Sequence, residues 1–124
     1  MRLSTFSDYS LRVLLYVALR PGERPTIEEI ATAYGISRNH LMKVVRTLGQ
    51  LGHLTTVRGR GGGLTLARPP EDINLGAVLR GTEQDCTVVE CLGAGPINCP
   101  LSGACRLTGM FGEALGAFFG TFDR

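Results

Sequence analysis

Between residues 26 and 51 the chain carries two amphipathic segments separated by a turn of about three residues, and this arrangement restricts the fold more than any other feature. Thr26 and Glu29 have the Thr-x-x-Glu spacing of a helix start, after which Ile27, Ile30 and Ala31 fall on one face. Gly35 supplies the stop, because glycine reaches the left-handed conformation that closes a helix at no steric cost. Ser37 is placed to cap a second helix with Leu41, Val44, Val45, Leu48 and Leu51 turned inward. Two such helices predict a helix-turn-helix. Upstream, Thr5 with Asp8 reads as another helix start, and Leu11, Leu14, Leu15, Ala18 and Leu19 predict a first helix that Pro21-Gly22 ends.

The outward residues of the segment after Ser37 decide whether the unit is a helical hairpin or a reader of DNA. Arg38, Asn39 and His40 occupy its first turn, followed by Lys43 and Arg46 at helical spacing. Arginine bonds guanine and asparagine bonds adenine through paired hydrogen bonds, so these residue types suit a major groove, with the later cations placed for phosphate. His40 taken alone is more often an exposed polar residue than a DNA contact. Next, Leu54–Val57 and Leu64–Ala67 alternate as strands around Arg58-Gly-Arg60-Gly-Gly-Gly63. A glycine-rich hairpin tip with Arg58 and Arg60 fits the wing of a winged helix, since glycine lets the backbone approach a duplex and arginine favours the negative potential of a narrow minor groove. A phosphate-cradling nucleotide loop fits poorly, because no Gly-Lys-Ser/Thr and no helix follow the glycines.

Pro69-Pro70 marks a junction between residues 1–70 and 71–124. Asn74 caps a short helix over Leu75–Gly81, and the stretch from Cys86 to Ala104 has the Gly and Pro content of a loop. From about 105 to 122 a final helix carries Leu107, Met110, Phe111, Ala114, Leu115, Phe118 and Phe122 as a broad apolar stripe. A partner helix from a second subunit is the economical cover, giving a homodimer that reads a palindromic operator. Gly112, Gly116 and Gly120 recur every four residues, either to permit close helix contact or as part of a glycine-rich composition of 17 in all.

The net charge of +2 is a cancellation. Residues 1–70 hold ten Lys and Arg against four acids, +6, and residues 71–124 hold three Arg against seven acids, −4. A basic front suits a polyanion such as double-stranded DNA. With 124 residues there is room for one compact domain and an appendage. No stretch reaches the ~18 apolar residues of a membrane span, and no secretory signal pattern opens the chain, so a cytoplasmic protein is expected.

All four cysteines, Cys86, Cys91, Cys99 and Cys105, lie within twenty residues. A reducing compartment favours metal binding or redox chemistry over disulfides. The spacing C-x4-C-x7-C-x5-C lacks the C-x2-C pairs of common structural zinc sites, and Cys99-Pro100 is the pair that closes bacterial ferredoxin motifs. On spacing alone an iron-sulfur cluster, a zinc ion, and thiols that sense redox state or are inert all stay open.

Taken together, Arg2-Leu3, Phe6-Ser7-Asp8-Tyr9, Ile30-Ala31, Gly35-Ile36-Ser37, Asn39 to Val45, Val57 to Leu64 and Cys99-Pro100-Leu101-x-x-x-Cys105 resemble the bacterial winged-helix iron-sulfur repressors. The resemblance runs from Met1 to about Phe122 and implies a mainly helical winged helix-turn-helix with a small β-wing and a long dimerisation helix. It also implies a transcriptional repressor with a 4Fe-4S cluster, 2Fe-2S being the alternative nuclearity. The match is closest to members that sense nitric oxide. Their cluster is held by three cysteines, corresponding to Cys91, Cys99 and Cys105, and in some members by an aspartate from the partner subunit's first helix, corresponding to Asp8. In the members that regulate cluster assembly a histidine stands where this chain has Thr108. Asp8 has a second explanation as the third residue of a capping pair, and Cys86 matches no family ligand.

Within that family the implied mechanism is that reaction with nitric oxide loosens the tie between cysteine loop and partner subunit, changes the spacing of the recognition helices and lowers operator affinity. An iron- or redox-responsive repressor is the nearest alternative. A cluster carrier or zinc-stabilised interaction module is the alternative of another class. No nucleophile and base pair stands out, so an enzyme is not expected. Family members usually continue beyond the long helix, whereas the sequence stops at Arg124, either as a short member or a shortened form with a weaker dimer.

Overall fold

The computed structural model describes residues 1–124. Five α-helices, α1 (Thr5–Ala18), α2 (Ile27–Tyr34), α3 (Arg38–Gln50), α4 (Leu75–Thr82) and α5 (Arg106–Phe122), combine with an antiparallel hairpin, β1 (Leu54–Val57) and β2 (Gly63–Leu66). The hairpin register pairs Leu54 with Leu66 and Val57 with Gly63. Two 3-10 turns, Pro70–Asp72 and Glu90–Leu92, interrupt the connections. The result is the expected winged helix-turn-helix with a small β-wing and a long C-terminal helix.

Side-chain caps set most helix starts. Thr26 accepts from Glu29 N–H at 3.1 Å, Ser37 from His40 N–H at 3.3 Å and Asn74 from Ala77 N–H at 2.8 Å, each satisfying an otherwise orphaned amide. Gly35 closes α2 in the left-handed region at φ 66°. The first helix departs from expectation by one residue. Ser4, not Thr5, is its cap, accepting from Ser7 N–H at 3.1 Å. Asp8 therefore lies outside the capping pair, and its carboxylate turns to Arg12.

The core gathers Val13, Leu14 and Val17 of α1, Ile30 of α2, Ile36, then Leu41, Val44, Val45 and Leu48 of α3, Leu54 and Leu64 of the hairpin, and Val78 of α4. The buried face of α1 is rotated from the expected leucine stripe: Leu15 and Leu19 are 58% and 75% exposed, while Ser7 and Ser10 are fully buried. Burial of these hydroxyls is compensated by hydrogen bonds. Ser10 Oγ donates to Phe6 O at 2.7 Å, and Ser7 Oγ lies 2.7 Å from Thr82 Oγ1, which donates to Val78 O. Ser4 N–H also donates to Glu83 Oε1 at 2.7 Å, so the start of α1 is fastened to the end of α4. Leu51 is 39% exposed, contrary to its expected burial, because α3 has ended by that point. The second strand begins at Gly63, one residue early, and α4 extends to Thr82.

Candidate DNA interface and cysteine loop

Burying Leu41, Val44, Val45 and Leu48 leaves the opposite side of α3 facing outward, where Arg38, Asn39, Lys43 and Arg46 are exposed. Asn39, Lys43 and Arg46 line one shallow concavity with Met42, a residue that sequence reasoning passed over although it falls off the inward face. Its thioether adds an apolar contact among the cations, suited to a thymine methyl group. Arg38 is drawn back towards α2 by Glu28, with Nε 3.4 Å from Oε1. His40 points elsewhere. Its half-buried ring packs on Tyr9 at 4.8 Å and Phe6 at 6.3 Å between centroids, which ties α3 to α1.

In the wing, Arg58 and Arg60 are exposed around a tip whose glycines are required by the protein itself. A Cβ on Gly62 would run into the carbonyl oxygen of Val57, and one on Gly63 into that of Arg24. Leu64 N–H donates to Pro25 O at 2.8 Å and Arg24 Nη1 to Gly61 O at 3.4 Å, so the linker before α2 holds the wing against the domain. Arg24 is a cation beside the wing that sequence pattern did not single out; its proximity is tertiary.

Between α4 and α5 the cysteine loop has one regular turn, Glu90–Leu92. Cys86, Cys91 and Cys105 are half-buried, Cys99 is exposed, and all four are free thiols. Cys105 is the N-cap residue of α5 and makes no side-chain cap bond, so its sulfur remains unengaged. Cys91 Sγ accepts a hydrogen bond from Thr108 Oγ1 at 3.3 Å. Two acids order the loop: Glu90 Oε1 accepts from Asn98 N–H at 3.1 Å, and Asp85 accepts from both the hydroxyl and the amide of Thr87. Those Thr87 bonds, the hydroxyl's first, hold the Asp85 carboxyl below the usual carboxylate range. Cys86 lines a groove of about 740 Å³ with Met1, Leu3, Phe111, Leu115 and Phe118.

Within the single chain no three Cys, His, Asp or Glu side chains come close enough to share a metal ion. Asp8 is instead paired with Arg12, which donates from Nε at 3.1 Å and Nη2 at 3.3 Å to its two oxygens. The Arg12 guanidinium also lies over the rings of Tyr34 and Tyr9, at 5.6 and 5.9 Å. Asp8 is thus flanked by the residues that touch His40 of α3.

A helix-turn-helix with an exposed cationic third helix and an arginine-bearing wing is the architecture of a winged-helix regulator of transcription. The family model Rrf2, iron-dependent transcriptional regulator, matches residues 3–124, and the chain belongs to this family. It is 50% identical over 125 residues to the HTH-type transcriptional regulator NsrR of Bacillus subtilis, covering all of this chain and 86% of that protein. It is 45% identical to the NsrR of Halalkalibacterium halodurans, over all of this chain and 86% of that protein. Among solved structures, CymR (YrzC), the global cysteine regulator of B. subtilis, superposes with a TM-score of 0.79 at 21% identity, covering 99% of this chain and 90% of that one. T. potens IscR superposes at 0.77 and 22% identity, covering 99% and 80%. These two likenesses establish the fold. No helix is long and apolar enough to cross a membrane.

Proposed function

We propose that the protein is a homodimeric repressor that binds a palindromic operator and releases it in response to nitric oxide, through an iron-sulfur cluster held by Cys91, Cys99, Cys105 and the partner subunit's Asp8. The observation that carries this reading is the 50% identity to NsrR across the whole chain. The donor chemistry fits the group: Cys91, Cys99 and Cys105 are free soft thiols of the kind iron-sulfur clusters take, and holding one requires the segment to draw them closer together than they stand in the single chain. Held by these three thiolates and the partner subunit's Asp8, the cluster would supply an iron that a small diatomic molecule can attack.

The chain's own residues supply the rest. Asn39, Lys43 and Arg46 face the major groove, with Arg38 beside them, and Arg58 and Arg60 reach the adjacent minor groove. His40 acts from behind by holding the start of α3 on Tyr9 and Phe6. Because those two aromatics flank Asp8, a pull on Asp8 that shifts α1 also shifts α3. Asp8 must leave Arg12 to serve the partner's loop, and Arg12 is left with the faces of Tyr9 and Tyr34 as its support. Arg46→Ala weakens operator binding and lowers its salt dependence, because each phosphate-contacting cation releases counterions.

The deciding experiment is a gel shift with anaerobically prepared holo-protein, titrated with nitric oxide. Loss of operator binding is expected, and unchanged affinity overturns the sensing claim. The family description as iron-dependent favours a second reading, in which iron supply is the signal. Ranking the responses to nitric oxide, oxygen and an iron chelator separates the two.

A further inference from the structure

Thr108 lies in the first turn of α5, and its hydroxyl is 3.3 Å from the sulfur of Cys91, seventeen residues away in sequence. A threonine inside a helix can return its hydroxyl proton to the carbonyl four residues back. Thr121 does so on the same helix, donating to Ala117 O at 3.1 Å, and Thr82 does so on α4, donating to Val78 O at 2.9 Å. Thr108, the third residue of α5, has Ala104 four residues back, before the N-cap Cys105, and directs its proton to a sulfur. Packing holds the two together, since the Glu90–Leu92 turn that carries Cys91 lies against α5, and Leu92 comes to within van der Waals distance of where a side chain on Gly112 would begin. Cys91 is half-buried there, whereas Cys99 is exposed.

We infer that Thr108 is a positioning residue for Cys91 that also tunes the electron affinity of whatever cluster Cys91 helps to hold. The inference rests on the cluster reading above. A hydroxyl donor withdraws charge from a thiolate sulfur, and a cluster gains negative charge on reduction, so the bond strengthens in the reduced state and raises the reduction potential. It also holds the Cys91 side chain towards α5, as the hydrogen bonds behind metal ligands commonly do.

The test compares anaerobically reconstituted wild type with T108V, which keeps the shape without the donor, T108A, which removes donor and branch, and T108S, which keeps the donor. Iron and sulfide per chain and the optical redox titration are the readouts. At the potential where half of the wild-type cluster is reduced, T108V and T108A are expected to show a reduced-to-oxidised ratio about fivefold lower, the worth of one hydrogen bond, with T108S restoring the wild-type ratio. If both donorless variants lose the cluster while T108S retains it, the positioning role is supported directly. A wild-type potential in T108V and T108A, or failure of T108S to restore it, overturns the inference. A wild-type chain that takes up no iron and sulfide overturns the cluster reading itself, and this inference with it.

Discussion

α3 and α5 are both amphipathic helices, of 13 and 17 residues, yet α3 buries four apolar side chains and α5 only Phe119. The difference does not come from composition, because α5 is the more apolar of the two. α3 is surrounded by α1, α2 and β1 of its own chain, and each apolar position finds a neighbour. α5 touches α4 and the Glu90–Leu92 turn, and leaves Leu107, Met110 and Phe118 open to solvent. An apolar stripe specifies a need for cover without saying which chain provides it. The same contrast divides the polar groups: the helix-turn-helix is capped and closed by its own side chains, while of the four loop thiols Cys91 alone receives a side-chain hydrogen bond, from Thr108.

The largest expected effect breaks this contrast from both sides. Leu48→Ala opens a cavity at a fully buried position and is expected to cost about 2–5 kcal/mol, read as a lower urea midpoint with operator binding lost alongside the fold. Met110→Asp, at a position 62% exposed in the single chain, is expected to leave helix content intact and to convert the proposed dimer into monomer in sedimentation velocity. A Met110→Asp protein that stays dimeric at micromolar concentration removes α5 as the dimer contact.

Much of the front half was legible because its signals are local. A cap, a glycine stop and an inward stripe each act within one turn of helix, so Thr26, Gly35, Ser37 and Asn74 could be read in place. What escaped depends on residues far apart in sequence. Ser7 and Ser10 count as polar in any periodicity, and only the pairing of Ser7 with Thr82, 75 residues away, makes the first of them a core residue. The turning of His40 towards Tyr9 and the docking of the wing on Arg24-Pro25 are of the same kind. In the loop, spacing identified the thiols but could not place them, because cysteines separated by four to seven residues have no backbone period to fix their direction; the Thr108 contact follows from packing against α5.

A smaller effect sharpens the picture of a self-sufficient front half. Thr26→Ala removes the acceptor for Glu29 N–H at the start of α2, and the amide keeps access to water because the site is exposed. The expected cost is about 1 kcal/mol, seen as a modest fall in urea midpoint with operator affinity retained when folded. A loss as large as that of Leu48→Ala would mean that the turn into α2 contributes to folding beyond its cap.

The smallest effect at neutral pH concerns His53, which joins α3 to β1 and is the one polar side chain of the core without a complete set of partners. It is 6% exposed and its Nδ1 has no hydrogen-bond partner, although its amide donates to Leu48 O and its carbonyl accepts from Ala67 N–H. Burial, and secondly the positive charge of Arg68, hold its pKa below the ordinary 6.5. The unfolded chain therefore takes up the proton first as pH falls. Stability from this group is complete above about 6.5, declines as pH drops from there through the lower folded value, and levels off beneath it. Near pH 7 both states are mostly neutral, so little is seen until the solution is acidified. Urea midpoints of wild type are expected to fall between pH 7 and 5 more steeply than those of His53→Gln, which carries no titrating ring at the base of the wing. Parallel profiles would assign the acid sensitivity to other groups and leave His53 as a packing residue alone.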